Sequence, residues 1–82
     1  MTPGQCRAAR AILAVTQGEL AKSAKLGLST IVDFERQRRP VSREAIQTMQ
    51  TALERAGVVF IDENGGGAGV RLARFQRRSR RP

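Results

Sequence analysis

Residues 16–39 read TQGELAKSAKLGLSTIVDFERQRR, and the fold turns on this stretch. Thr16 followed at three residues by Glu19 is a capping box, in which the threonine hydroxyl and the glutamate side chain satisfy amides that a first helical turn leaves unpaired. A helix therefore starts there and runs through Leu20, Ala21 and Ala24 to about Lys25. Lys25-Leu26-Gly27 breaks it. Leu28 to Arg36 then form a short helix with Ile31, Phe34 and Glu35 along one side and Leu28, Ser29, Val32 and Asp33 along the other. Arg36-Gln37-Arg38-Arg39-Pro40 ends that helix in a basic loop, since proline disfavours a helical residue before it and a polar run covers no core.

Upstream, Thr2 caps a first helix from about Pro3 to Ala14, with Pro3 at the first helical position and Gln5 completing a second capping box. Its apolar face comprises Cys6, Ala9 and either Ile12 or Leu13. Downstream, Ser42 caps a fourth helix whose Ala45, Ile46, Met49, Ala52, Leu53 and Ala56 follow the spacing of an amphipathic face as far as Gly57. Val58 to Ile61 and Val70 to Leu72 are β-prone, and the Gly-rich run between them makes a hairpin. A phosphate-binding loop is a poor reading of Asn64 to Gly69, because no Gly-Lys-Ser/Thr follows. The chain from residue 75 has little to bury and is expected to be disordered. The expected division is a helical domain over 1–57, a hairpin over 58–74 that offers a dimerisation element, and a basic tail over 75–82.

A chain of 82 residues forms one domain with a modest core, burying about 60% of the surface its unfolded form exposes. The net charge of +8 favours a polyanionic partner, although Arg77, Arg78, Arg80 and Arg81 supply half of that excess. That tail reads equally as a nucleic-acid arm or as a solubilising end. Histidine is absent, which removes the usual general bases, nucleophile triads and most zinc sites, so neither an enzyme nor a metal or other cofactor is expected. Phe34, Phe60 and Phe75 are the only aromatic residues, too few for single-strand stacking platforms, which leaves duplex DNA as the better polyanion. One cysteine, no signal-peptide pattern and no membrane-spanning apolar run point to a cytoplasmic protein without a membrane partner.

Thr16-Gln17, Leu20-Ala21, Ser29-Thr30-Ile31, Phe34-Glu35-Arg36 and Arg38-Arg39-Pro40 resemble the phage-repressor-type (XRE-like) helix-turn-helix family over roughly residues 5 to 56. The resemblance implies a mostly α, four- to five-helix lambda-repressor-like domain, here followed by the short β-hairpin. It also implies a repressor that binds double-stranded DNA as a homodimer on an inverted-repeat operator. In that reading Leu28, Ser29, Val32 and Asp33 meet base edges, while Gln17, Thr30, Arg36, Arg38 and Arg39 contact phosphates. Glu35 matches an acid that pairs in the family with an arginine of the first helix, here Arg10. Small Ala21 lets the second and third helices approach.

Two positions depart from the family pattern. Lys25 stands where glycine is usual because the backbone turns through positive φ, and Gly27 stands where Ser or Thr normally caps the following helix. None of Leu28, Ser29, Val32 and Asp33 is an Arg, Gln or Asn able to make a bidentate base contact. Leu28 and Val32 suit thymine methyl groups and equally suit a protein partner. A protein-interaction module of the same fold, such as an antiactivator or antitoxin, therefore stands beside the regulator. Dimerisation is expected through the fourth helix or through the free edges of the hairpin.

Overall fold

The computed structural model describes residues 1–73, so the arginine tail and Phe75 lie outside the described residues. Four helices and an antiparallel hairpin follow one another: α1 (Pro3–Leu13), α2 (Gln17–Ala24), α3 (Leu28–Arg36), α4 (Arg43–Ala56), β1 (Val58–Ile61) and β2 (Gly69–Leu72). Both capping boxes form. Thr2 Oγ1 accepts from the Gln5 amide at 3.0 Å while Gln5 Oε1 accepts from the Thr2 amide at 2.8 Å. Thr16 and Glu19 exchange the same pair of bonds at 3.0 and 2.9 Å. Ser42 Oγ caps α4 by accepting from the Ala45 amide. Gly27 starts α3 without a side-chain cap.

Helices α1, α2 and α3 all end in the same way, although none uses glycine. Ala14, Lys25 and Gln37 take left-handed backbone angles, with φ of 58°, 58° and 54°. The next amide in each case reaches back across the turn at 2.9 Å: Val15 to Arg10, Leu26 to Ala21, and Arg38 to Asp33. Such closures satisfy the last carbonyls of a helix and redirect the chain sharply. An L-residue is strained there by about 1–2 kcal/mol, and glycine recovers that strain at some cost in unfolded-chain entropy. Lys25→Gly is therefore expected to raise Tm by roughly 2–6 °C in a calorimetric scan. An unchanged or lower Tm would mean that the lysine relieves the strain in some other way.

The core lies where all four helices meet the hairpin. Leu20 of α2, Ile31 of α3, Met49 and Leu53 of α4 and Cys6 and Ala9 of α1 pack together, with Val58 closing the β1 side. Each large aliphatic side chain buried there contributes about 1.5–3 kcal/mol. On α1 it is Leu13 that packs against this cluster, while Ile12 remains 40% exposed. Gln5, Ala9 and Leu13 form an i, i+4 ridge, and that ridge turns the buried face away from Ile12. Ala56 is exposed although its spacing predicted burial; the core beyond Leu53 is taken up by Val58.

The hairpin shares this core. β1 and β2 pair antiparallel in the register Val58↔Leu72 to Ile61↔Gly69, one residue longer in β2 than the β-prone run. Gln5 Nε2 donates to the carbonyls of Ile61 and Gly69 at 3.1 and 2.8 Å, which ties α1 to the loop end of the hairpin. In the connecting loop the Glu63 carboxylate accepts from the amides of Gly65 and Gly67, both at positive φ. Those amides serve the turn itself. Among the described residues, no helix is long and apolar enough to cross a membrane.

Candidate nucleic-acid interface

α3 owes its orientation to the side it buries. Ile31, Phe34 and Glu35 face inward, and α2 lies across α3 with buried Ala21 and Ala24 on its own inner side. Only Lys25, Leu26 and Gly27 separate the two helices, so α3 is redirected within three residues. Its opposite side carries Leu28, 52% exposed, and the exposed Ser29, with Thr30, Val32 and Asp33 half-buried beside them. Arg36, Arg38 and Arg39 are all exposed at the end of the helix and in the loop that follows.

Glu35 is the centre of a polar cluster that joins three helices. The residue is 2% exposed, and its carboxylate accepts from Arg10 Nε and Nη2, both at 2.7 Å, in a two-pronged ion pair. Gln17 Nε2 donates to it at 3.0 Å and the Cys6 thiol at 3.1 Å, while Arg7 reaches the backbone carbonyl of the same residue. Burial pushes the Glu35 carboxyl upward, but the bonds from Arg10, Cys6 and Gln17 outweigh it and leave the group below its ordinary value of 4.5. Burial, followed by the bond to Glu35, pushes the Cys6 thiol up to about 12, so it stays protonated and unreactive in the fold. The Arg10 guanidinium is held charged chiefly by its bond to Glu35.

This cluster fixes the start of α2 against the end of α3. Gln17, expected on a phosphate, spends one amide hydrogen on Glu35, and it opens with Thr16, Arg7, Arg10 and Arg36 onto a single surface cleft. A second, smaller groove lies between α3 and the start of α4 and is lined by Ser29, Thr30, Asp33 and Arg39, with Pro40 and Ser42. Asp33 sits there between two cations, 3.6 Å from Arg38 Nε and 3.5 Å from Arg39 Nε.

The expected base-contacting and phosphate-contacting residues thus gather on α3, its following loop and the first turn of α2. Arg7 and Gln5 were not among the expected functional residues. Gln5 was legible only as half of a capping box, and nothing in the spacing of Arg7 points to the Glu35 carbonyl. The pairing of Asp33 with Arg38 and Arg39 was also unread, since it depends on how the loop folds back on the helix. No family model matches the chain, and a search of curated proteins gives no match.

Proposed function

We propose that the protein is a helix-turn-helix regulator of the phage-repressor type, binding an operator in duplex DNA as a homodimer and repressing by occlusion. The carrying observation is that α3 is locked by its buried Ile31, Phe34 and Glu35 side, while Leu28, Ser29 and Val32 remain outward beside three exposed arginines. An exposed helix flanked by cations suits a major groove bordered by two phosphate strands. Leu28 and Val32 would pack on thymine methyl groups and Ser29 would bond either base type. The backbone amides at the start of α2 and the second amide hydrogen of Gln17 would meet a phosphate.

A mobility-shift titration on the DNA upstream of the protein's own gene tests this reading. Binding is expected to weaken by about a thousandfold or more between 50 and 200 mM salt, as it does when 6–10 phosphates are neutralised. The same titration on unrelated duplex should give affinity lower by about a thousandfold. Weak binding that is indifferent to sequence would sink the proposal. One observation favours a second reading: Leu28 leaves half its surface bare at the start of α3, beside Ser29, Val32 and Asp33, none of which has a side chain suited to a bidentate contact with guanine or adenine. A protein partner seated on Leu28 and Val32 fits that surface, and sequence-indifferent DNA binding would favour it.

A further inference from the structure

The half-buried Asp33 is an acid set beside the exposed arginines that follow α3, and its two neighbours explain what it does there. Its side chain is 13% exposed, whereas those of Arg38 and Arg39 are 58% and 75% exposed. The separations of 3.5 and 3.6 Å exceed the 2.7–2.9 Å of a charge-assisted hydrogen bond, so both arginines are held by attraction without being locked. Asp33 is fixed on α3, and the arginines lie on a loop over it. Their attachment is therefore exchangeable at the arginine end only.

Taking duplex DNA as the ligand, we propose that Asp33 determines specificity as an internal stand-in for phosphate, which Arg38 and Arg39 must exchange for the backbone when the protein binds. A loose encounter with arbitrary duplex gains little from that exchange, because one anion replaces another. A fully docked operator recovers it, since α3 then engages the bases as well. On this view Asp33 is a positioning residue that acts through the arginines and makes no base contact of its own.

The test compares wild type, Asp33→Ala and Glu54→Gln, the last removing one exposed acid on α4 so that the net charge matches. On immobilised heparin, a sequence-free polyanion, Asp33→Ala should elute at clearly higher salt than Glu54→Gln. With arbitrary-sequence duplex it should bind about three- to thirtyfold more tightly than wild type, as expected from releasing two weak surface pairs. The gain should vanish in a variant that also carries Arg38→Ala and Arg39→Ala. Equal elution of the two single variants, or a gain that survives loss of the arginines, overturns the proposal. So does weaker operator binding by Asp33→Ala with unchanged binding to arbitrary duplex, which would make Asp33 a base reader. If wild type discriminates no operator yet the heparin difference appears, the DNA-regulator reading fails while the arginine exchange stands.

Discussion

Replacing Arg10 with methionine is expected to destabilise the protein by about 3–5 kcal/mol, the penalty for leaving a buried carboxylate without its counter-ion. Small domains have only about 5–15 kcal/mol in total, so urea titration should find this variant close to unfolded at room temperature. Glu35→Gln should be milder. Arg10 keeps 20% of its side chain exposed and can turn its guanidinium toward water, whereas Glu35, at 1%, has no such escape. The double variant Arg10→Met with Glu35→Met should recover most of the loss, because two apolar side chains remove the desolvation cost together. A loss well below 1 kcal/mol in Arg10→Met would mean that Gln17 and Cys6 alone can hold the anion.

The same pair sets an acid limit whose sign follows from the shift of Glu35. Its carboxyl lies below 4.5 in the fold, so the unfolded chain binds more protons across that interval, and stability rises with pH there. The contribution is complete above 4.5 and is lost as pH falls through the folded value. In Glu35→Gln that part of the acid transition should be missing. Arg10→Met should reverse the trend: burial then prevails over the remaining donors, the folded value moves up, and lowering the pH from 7 toward 5 should stabilise the variant.

The legible parts of this fold are those settled within three or four residues. Thr2 with Gln5, Thr16 with Glu19, and Ser42 each announce a helix start through a side chain that bonds an amide three positions on. Leu28 to Arg36 was readable as one helix because Ile31, Phe34 and Glu35 share a side, and Glu35 found its partner through a family pattern. The left-handed closures at Ala14 and Gln37 left no mark, since neither residue type signals positive φ and the bonds that repay it come from the tertiary turn. Gln5 shows the same limit. Its backbone and Oε1 obey a local rule, while its Nε2 holds carbonyls at the far end of the chain. At the interface the side chains were identifiable but their mutual contacts were not, because Asp33 meets Arg38 and Arg39 only after the loop folds over α3.

If duplex DNA is the ligand, the largest functional loss should follow removal of Arg36, Arg38 and Arg39 together. The three are exposed, and the latter two bond loosely to Asp33, so alanine at all three positions leaves the core untouched and thermal unfolding close to wild type. Each phosphate neutralised steepens the dependence of log K on log salt by about 0.9, so a dimer lacking these arginines should bind with a slope shallower by roughly five. At 0.1 M salt the weakening should be on the order of a thousandfold or more. Such contacts position the protein without reading bases, so operator and arbitrary duplex should both lose affinity, the operator more, because Asp33 already withholds Arg38 and Arg39 from loosely seated complexes. A variant that folds normally and keeps the wild-type slope would remove the basic loop from the interface. A loss confined to the operator would instead bring one of these arginines into the major groove, and Arg39, which lines the same surface groove as Ser29, is the residue placed to reach it.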